Sequence, residues 1–346
     1  MSYPCGAVPR HGAAVEIAPG VLWLRMPLPF GLDHINLWAL EDGDGWTVVD
    51  TGLHTEDTKA AWETLLAGAL GGRPVTRVIC THMHPDHIGM SGWLTERFAC
   101  RLWITRLEYL SCRTLVADTG RPAPEDGVRF YRAAGWSEQA LAAYRARFGA
   151  FGMGMYRLPD SFRRLSHGEK LAIGAHEWEV VVGNGHSPEH ACLYCPTLGL
   201  LISGDQVLPK ISSNVSVFPT EPDADPLSDW LASLERLRAA VPATVLVLPA
   251  HNEPFRGLHA RLTSLREGHE RSLDRLCAAL DTPKRVVDLL SVMFRRPLRD
   301  EHYLMGTGEC LAHLNWLLRR GRIRASVDAD GVRWYRAVTD VTLPAP

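Results

Sequence analysis

Short runs of aliphatic and β-branched residues, each followed by a polar cluster, recur along the chain. They occupy residues 46–49, 75–80, 178–182, 200–203 and 245–248. Short runs that are apolar at successive positions are typical of strands buried on both faces of a sheet. Helical periodicity appears between some of these runs, at residues 56–70, 227–240 and 258–280. Interleaved strands and helices predict an α/β fold.

A long segment at about residues 97–164 departs from this pattern. Its helix-like stretches cover residues 106–116 and 137–147, and it is rich in aromatic side chains. One interpretation is a lid or pocket wall in which Met153, Met155 and Tyr156 face a substrate. The other is a helical insertion with an ordinary core. The pattern favours neither over the other.

The pattern changes again after residue 281. Residues 284–294 and 309–319 have helical periodicity, and two short strand-like runs flank the turn sequence at 328–331. Helices followed by a two-stranded hairpin describe a winged helix-turn-helix. We therefore predict a large domain over residues 1–280, which includes the insertion at 97–164, and a small winged-helix-like domain over residues 281–346.

Charge limits the partners that this chain can have. Its 346 residues include 37 basic and 39 acidic side chains, for a net charge of −2, which excludes a protein that coats polyanions along its whole surface. Residues 284–336 carry +5, which leaves −7 on the rest. A basic C-terminal domain of this modest charge suits a solvated face or a contact in a homodimer as well as a nucleic-acid patch. A nucleic-acid partner is therefore not favoured.

Signals for export and for a membrane are missing from the sequence. Residues 1–20 have neither a basic start nor an apolar run, and no apolar stretch approaches the twenty residues of a membrane span. Eight cysteines are too few for a disulfide scaffold in a chain of this length. We therefore expect a cytoplasmic protein without a membrane partner.

Histidine and aspartate residues are concentrated where the strand-like runs end. Three histidines and one aspartate lie within residues 82–87, directly after a run, and three more such residues each follow a later run. If these strands share a sheet, their carboxyl ends share one edge, where distant residues converge. Imidazole and carboxylate are good ligands for transition metals. The candidate metal ligands are His82, His84, Asp86, His87, His186, Asp205 and His251.

These residues resemble the motifs of the metallo-β-lactamase superfamily of metal-dependent hydrolases. Five motifs occur in the family's order: residues 48–52, the His-x-His-x-Asp-His at 82–87, and residues 185–190, 203–205 and 249–251. The resemblance covers about residues 20–275. It implies an αββα sandwich, which is two packed sheets with helices outside and a binuclear site along one edge. The tail resembles the winged-helix extension of the LACTB2-like branch.

The resemblance also implies a role for each motif residue. It assigns His82, His84 and His186 to one metal ion, assigns Asp86, His87 and His251 to the other, and places Asp205 between the two ions. Asp50 resembles the family carboxylate that orients ligands by hydrogen bonding, and we place His190 behind the ligands as well. Glu189 stands where the family commonly has a small residue. This difference leaves the set of metal ligands intact.

Two divalent ions about 3.5 to 4 Å apart can share a water molecule and lower its pKa from near 16 towards ~7. We therefore expect a metal-bound hydroxide as the nucleophile, with Asp86 as the catalytic residue that accepts or relays a proton. Zinc is the first expectation for both ions. Iron and manganese are the alternatives, because they accept the same ligands.

A small acyl compound, which means an ester, a thioester or a lactone, is the leading expectation for the substrate. The aromatic insertion could wall an apolar pocket, and the acidic balance of residues outside the tail does not favour a polyanion. His34 precedes an apparent strand in a loop that overhangs the metals in such folds, so it joins the candidate pocket residues. Those residues are His34, Met153, Met155 and Tyr156.

Other functions remain open at this stage. An endoribonuclease acting on single-stranded RNA would need a basic groove and a salt-sensitive affinity. A mononuclear iron dioxygenase acting on sulfur compounds would use one ion, whereas two full ligand sets favour two ions. A DNA-binding regulator would not need an intact ligand set, and a structural zinc site is usually closed and cysteine-rich.

Overall fold

The structure is a computed structural model that describes residues 1–294, 298 and 300–338. Parts of the predicted C-terminal domain, at residues 295–297, 299 and 339–346, lie outside the described residues. Within the described part of the chain, no helix combines the length and the apolar character needed to cross a membrane.

The first sheet has seven strands that neighbour one another in chain order. The strands are β1 (Ala14–Ala18), β2 (Val21–Pro27), β3 (His34–Asp42), β4 (Gly45–Val49), β5 (Val75–Ile79), β6 (Arg101–Thr105) and β7 (Arg163–Leu165). Strands β1 to β4 pair antiparallel, and β4 to β7 pair parallel. The carboxyl ends of β4 and β5 therefore lie at the same edge, where the motifs at 50–52 and 82–87 begin.

The second sheet has six strands in the order β13-β12-β11-β10-β9-β8. They are β8 (Lys170–Ile173), β9 (His176–Gly183), β10 (His190–Cys195), β11 (Leu200–Gly204), β12 (Leu246–Pro249) and β13 (Phe255–Arg256). Only β11 and β12 pair in parallel, so Asp205 and His251 follow strand ends at one edge. The pattern at residues 46–49, 75–80, 178–182, 200–203 and 245–248 is confirmed as strands, within one or two residues at each end.

Apolar side chains of the two sheets face one another and form a shared core. Trp23 stacks on Trp38 within the first sheet, and both are buried with Trp178 of the second sheet. The opposite face of the first sheet packs against helices, for example through Trp62 and Leu94. Each fully buried side chain of this size contributes roughly 2–3 kcal/mol of hydrophobic stabilisation. The expected α/β fold, two packed sheets with helices, is confirmed.

The helices follow the predicted periodicity at several places. They are α1 (Glu56–Ala67), α2 (Pro85–Ile88), α3 (Ser91–Phe98), α4 (Arg106–Ala117), α5 (Glu125–Ala133), α6 (Glu138–Arg147), α7 (Pro226–Ala240), α8 (Leu258–Ala279), α9 (Val286–Met293) and α10 (Asp300–Arg319). The helices predicted at 56–70, 106–116, 137–147, 227–240, 258–280 and 284–294 are confirmed. The Thr55 hydroxyl accepts a hydrogen bond from the Thr58 N–H at 3.1 Å and so marks the start of α1.

The chain divides into two compact units, each built from several stretches. The first comprises residues 1–120, 149–213 and 233–263, and it contains both sheets and the motif residues. The second comprises residues 121–148, 214–232 and 264–346, and its strands β14 (Ile323–Val327) and β15 (Arg333–Ala337) form the predicted hairpin. The second unit thus includes residues 121–148 of the insertion.

Helix α10 begins nine residues before the helix predicted at 309–319. Gly306 and Gly308 interrupt the apolar periodicity there, and glycine weakens helix propensity. The structure shows what Gly308 accommodates, because a β-carbon at this position would lie 2.8 Å from the β-carbon of Ser216. Close packing against residue 216 therefore explains a glycine in mid-helix.

A buried histidine pair in the second unit predicts acid sensitivity. Nδ1 of His269 lies 3.2 Å from Nε2 of His313, and the carbonyl of Glu309 accepts a hydrogen bond from Nδ1 of His313. Burial lowers the pKa of His269 to about 3 and that of His313 to about 4. The unfolded chain therefore binds more protons below about pH 6.5, and stability falls as the pH falls from there towards about 4.

Replacing both residues, as in His269→Phe with His313→Leu, should flatten this dependence. Between about pH 6.5 and 5 the unfolding free energy of both proteins should fall. We expect the wild type to lose roughly 2 kcal/mol more than the double variant for each histidine replaced. Urea denaturation at several pH values measures it. The exposed His11→Gln is the matched control and should leave the slope unchanged. Equal slopes in the wild type and the double variant would contradict this account.

Candidate metal centre

The segment after β5 turns sharply into the short helix α2. Pro85 occupies the first turn of α2, where its fixed φ favours a helix start, and His84 precedes it in an extended conformation. Asp86 and His87 then lie in the first turn of the helix. This local structure lets a six-residue segment place side chains in two groups.

Three of the predicted ligands form the first group. Nε2 of His82 lies 2.9 Å from Nδ1 of His84 and 3.3 Å from Nε2 of His186. The ligand atoms of these three residues all lie within 4.8 Å of one another. Such close approach of three ring nitrogens is the arrangement that a shared cation stabilises.

A second group lies next to the first. Nε2 of His251 is 3.5 Å from Oδ2 of Asp86, and Nε2 of His87 is 3.6 Å from the same oxygen. These ligand atoms also lie within 4.8 Å of one another. The structure therefore gathers the predicted ligands into two neighbouring sets.

Asp205 lies between the two groups. Its Oδ2 is 3.5 Å from Nε2 of His186, and its Oδ1 is 3.5 Å from Nε2 of His251 and 3.6 Å from Nε2 of His87. Oδ1 of Asp205 and Nε2 of His87 are both buried without a hydrogen-bond partner among the described atoms. Buried polar atoms of this kind are normally satisfied. The donor set thus fits divalent cations, because two of its atoms lack any other partner.

Burial and neighbouring charge set the protonation of the cluster. Burial, reinforced by the neighbouring imidazoles, lowers the pKa of His82, and burial lowers that of His84 to about 3. Burial alone would lower the pKa of His87 too, but the carboxylates of Asp86 and Asp50 outweigh it and raise that pKa. Burial likewise opposes the shift at Asp86, where His87 and other contacts lower the pKa to about 2. Metals bind neutral imidazoles and ionised carboxylates, which are the forms favoured at His82, His84 and Asp86, whereas His87 would release its extra ring proton on binding.

Asp50 holds the histidine motif from behind. Its backbone has a φ of 61°, a left-handed conformation that costs free energy in a residue other than glycine. Its Oδ1 accepts the Thr81 N–H at 2.7 Å, and its Oδ2 lies 2.8 Å from Nδ1 of His87. A proton on Nδ1 leaves Nε2 of His87 free to bind a metal. These contacts place Asp50 where it can orient the ring of His87.

His251 is oriented by the main chain of the first sheet. Its Nδ1 lies 2.9 Å from the carbonyl oxygen of His34, which can accept the ring proton and leave Nε2 directed at the cluster. The buried amide of Asn36 donates to the carbonyls of Pro249, at 2.9 Å, and Asn252, at 2.6 Å. These bonds join β3 to the segment that follows β12.

His190 contacts the cluster through Asp205 and His82. Its Nε2 accepts the Asp205 N–H at 3.1 Å, and its ring stacks on that of His82 with centroids 4.8 Å apart. Burial lowers the pKa of His190, so its ring is neutral and can accept this hydrogen bond. His190 thereby positions the backbone of Asp205.

Sequence patterns of known protein families match most of this chain. The sequence pattern of the metallo-beta-lactamase superfamily matches residues 30–251, which is more than half of the chain. The chain belongs to the metallo-β-lactamase superfamily. A second pattern, the metallo-beta-lactamase-like C-terminal domain, matches residues 273–338.

Several relatives of this superfamily member are similar over most of its length. A "probable metallo-hydrolase" of Bacillus subtilis (strain 168) is 26% identical over 279 residues, covering 78% of this chain and 80% of the relative. A solved beta-lactamase domain protein from Burkholderia ambifaria is 40% identical, with a TM-score of 0.89, and covers 97% of this chain and 98% of its own. A metallo-beta-lactamase family protein from Thermus thermophilus is 27% identical, with a TM-score of 0.78, 93% of this chain covered and 100% of its own.

Superfamily membership and the clustered donors establish the coarse chemistry. This protein is a metal-dependent hydrolase of the metallo-β-lactamase superfamily. Its histidine and aspartate cluster suits divalent metal ions.

The four predicted pocket residues lie in different surroundings. Nδ1 of His34 is 2.7 Å from Asp33, and its Nε2 accepts the Asn252 N–H at 3.0 Å, so both ring nitrogens have protein partners. Met153 is 76% exposed. Met155 is buried in the core between the first sheet and its helices, which argues against a place in a substrate pocket.

Tyr156 also has other partners. Its hydroxyl donates to Glu96 of α3 at 2.9 Å, and its ring meets that of His54 edge-on with centroids 5.5 Å apart. The expectation that Tyr156 faces substrate rested on the aromatic content of the insertion, which does not show where a side chain points. In the structure its hydroxyl is directed to a helix.

One residue of the site had no prediction. Glu108 is buried on α4, and its carboxylate accepts hydrogen bonds from the Met83 N–H, the Ser187 hydroxyl and the Glu189 N–H. A signal was present, because Glu108 and Cys112 are four residues apart on one buried helix face. A charged residue at an otherwise buried position of a helix indicates a buried polar partner.

Proposed function

We propose that this protein is a binuclear hydrolase that cleaves a small acyl substrate: an ester, a thioester or a lactone. The observation that carries the proposal is that loops bordering the ligands carry exposed apolar side chains, which we call the apolar rim. Three separate loops supply them: Phe30 and Leu32 on the first, Met153 on the second and Ile211 on the third.

Each of these loops borders a ligand. Phe30 and Leu32 lie between β2 and β3, directly before His34, whose carbonyl oxygen contacts His251. Met153 precedes Gly154, where an added β-carbon would lie 3.2 Å from Pro85. Ile211 lies two residues from Ser213, whose hydroxyl donates to the carbonyl of Asp205.

Such a rim fits an apolar acyl group. Exposed apolar side chains that surround a polar centre mark sites for ligands or partners. A polyphosphate backbone would gain little from phenyl, isobutyl and thioether groups. The rim therefore supports a neutral organic substrate.

The chain's own residues supply binding and proton transfer. His82, His84 and His186 would hold one ion, Asp86, His87 and His251 the other, and Asp205 both. When bound, the ions would supply Lewis acidity, which activates water and polarises the substrate oxygen. Asp86 is partly exposed, at 22% of its side chain, so its carboxylate can relay a proton from the reacting water to the leaving group without retaining it.

A panel of p-nitrophenyl esters, acyl-CoA thioesters, lactones and short RNA tests the proposal. We expect turnover of at least one acyl class and none of RNA. If the enzyme cleaved RNA alone, the acyl proposal would be wrong. Metal analysis of the same sample should find two ions per chain.

The apolar rim makes a separate prediction about the length of the substrate's acyl chain. The double substitution Phe30→Ser with Leu32→Ser should raise KM for a medium-chain acyl ester roughly three- to tenfold, because apolar contacts with the acyl chain are lost. KM for the acetyl ester and kcat should change little. The matched control is Val327→Ser, an exposed residue of β14 in the second unit. An equal effect on both esters would argue against an acyl-chain subsite at this loop.

Single-stranded RNA is the second candidate, favoured by one feature of the second unit. The register of β14 and β15 sets Arg324 opposite Arg336, and both are exposed. Like charges that face each other across a hairpin destabilise it, and a phosphate between them would relieve this. Cleavage of RNA that weakens steeply with salt would favour this candidate over the first.

A further inference from the structure

The strongest unassigned feature of the first unit is the carboxylate of Glu108. It is completely buried, which costs free energy unless the charge is compensated by hydrogen bonds. Its Oε2 accepts the Met83 N–H at 2.9 Å. Its Oε1 accepts the Ser187 hydroxyl at 2.6 Å and the Glu189 N–H at 2.7 Å. One carboxylate thus has three donors from two separate loops.

Two of those donors are immediate neighbours of the first ligand group, and the third, the Glu189 N–H, lies three residues after His186. Met83 lies between His82 and His84 in the chain, and Ser187 follows His186 directly. The two loops are more than a hundred residues apart in sequence, yet the ring nitrogens they carry lie 3.3 Å apart. A group that joins the two backbones determines the spacing of those nitrogens.

Glu189 completes the connection in the opposite direction. Its Oε2 accepts the Leu107 N–H at 2.9 Å, in the first turn of α4, where a carboxylate is favourable because the helix leaves free N–H groups. Its carbonyl accepts the Thr105 hydroxyl at 2.8 Å. Helix α4 therefore cannot shift along its axis without breaking bonds to the loop that carries His186.

We propose that Glu108 is a positioning residue: it holds the loops of His82, His84 and His186 in register for binding the metal ion of the first group. It acts through these loops and does not itself contact the ion. Among the described contacts, Glu108 accepts no hydrogen bond from the second group, Asp86, His87 and His251. The inference rests on the metal site proposed above. It adds that metal binding by the first group depends on α4, whereas metal binding by the second group does not.

The test compares metal binding by Glu108→Gln, Glu108→Ala and the wild type. Glutamine fills the same volume, but its NH2 group must face a donor in either amide orientation, because both carboxylate oxygens accept hydrogen bonds. We expect both variants to bind one Zn²⁺ per chain with near wild-type affinity and the other roughly 10- to 100-fold more weakly, as for lost outer partners of metal ligands. Competition with a chromophoric chelator measures both constants.

A role in filling space makes a different prediction. In that case Glu108→Gln would bind both ions as the wild type does, and only Glu108→Ala would be impaired. Recovery of both affinities in the glutamine variant would therefore overturn the proposal. Co²⁺ absorption spectra give a second readout, because the bands of the affected site should change while those of the other site persist.

Ser187→Ala keeps the proposal testable if the Glu108 variants do not fold. It removes one of the three donors and should weaken the first site by a smaller factor, roughly three- to tenfold. Thr114→Ala is the matched control, since Thr114 is exposed on the same helix and, in the part of the chain that the structure describes, its hydroxyl bonds to the α4 carbonyl of Leu110 alone. If the wild type binds no metal, the proposed function fails. If all variants bind as the wild type does, only the role of Glu108 fails.

Discussion

Asp205→Asn should lower kcat/KM by well over roughly 100-fold. A loss of roughly 100-fold is what removal of a residue that only supports a metal ligand can cause, and Asp205 is itself a proposed ligand. The carboxylate lies 3.5 Å from a ring nitrogen of His186 and of His251, and 3.6 Å from one of His87. It is therefore the group that reaches both ligand sets. Asparagine has the same shape but no charge, so it cannot balance two divalent cations in a buried site.

The fold should survive this substitution. The backbone of Asp205 is held independently of its side chain, since its N–H donates to His190 and its carbonyl accepts the Ser213 hydroxyl. Circular dichroism and thermal denaturation should therefore match the wild type at equal metal loading. His84→Ala should give the same collapse of activity through the loss of one ligand of the first group.

Asp160→Asn is the control for this pair. Asp160 is an exposed aspartate, and Arg157 is the one ion-pair partner of its side chain among the described residues, so its replacement should leave kcat/KM unchanged. Substantial turnover by both Asp205→Asn and His84→Ala would exclude a metal-activated nucleophile at this cluster. Loss of activity in the control as well would point to a general effect of handling.

Much of the centre could be predicted from sequence because its residues follow strand ends. The segment 82–87 begins three residues after the end of β5. Asp205 comes one residue after β11 and His251 two residues after β12, and these two strands are parallel neighbours. Strand runs are visible as apolar stretches, and the carboxyl ends of parallel strands share an edge. Position along the chain was therefore enough to indicate which residues converge.

The contacts that hold these residues depend on tertiary structure. Asn36 bonds to carbonyls more than two hundred residues away, and Glu108 reaches Ser187 across 79 positions. No local pattern specifies such partners. Met155 shows the same difficulty for apolar residues, because a methionine in an irregular segment has no periodicity that tells a core position from a pocket wall.

The start of α10 was mispredicted for a related reason. Gly306 and Gly308 lie between the observed start at Asp300 and the helix predicted at 309–319, and glycine weakens helices in isolation. In the structure Gly308 permits close contact with Ser216, and packing outweighs local propensity. Helix propensity describes the isolated segment, whereas α10 forms while packed against the segment that contains Ser216.

Removal of metal by a strong chelator should abolish hydrolysis, and readdition of Zn²⁺ should restore it. Oδ1 of Asp205 and Nε2 of His87 are buried and have no hydrogen-bond partner among the described residues, so removal of the cations would take away the groups that we expect to compensate their burial. The water that attacks the substrate would then lack a group to lower its pKa. Activity should fall to the background rate while the sheets remain folded, since the core between them contains none of the ligands.

Metal binding should also raise stability, because the ligand sets form only in the folded chain. At a free ion concentration of 100 Kd the expected gain is about 2.7 kcal/mol for each site. A thermal melt of the chelated protein should therefore shift to lower temperature, and the shift should reverse on reloading. The Asp205→Asn variant should show a smaller shift than the wild type under the same conditions.

The number of ions needed for full activity separates the two-ion hydrolase from a single-iron enzyme. The structure offers three ligands on each side of Asp205, so activity should rise until two equivalents of Zn²⁺ are bound per chain. Mn²⁺ and Fe²⁺ should be tested in the same titration, because histidine and carboxylate ligands accept all three metals. Full activity at one equivalent, or activity that appears only with iron and consumes oxygen, would contradict the binuclear mechanism and leave the second ligand set without a catalytic role.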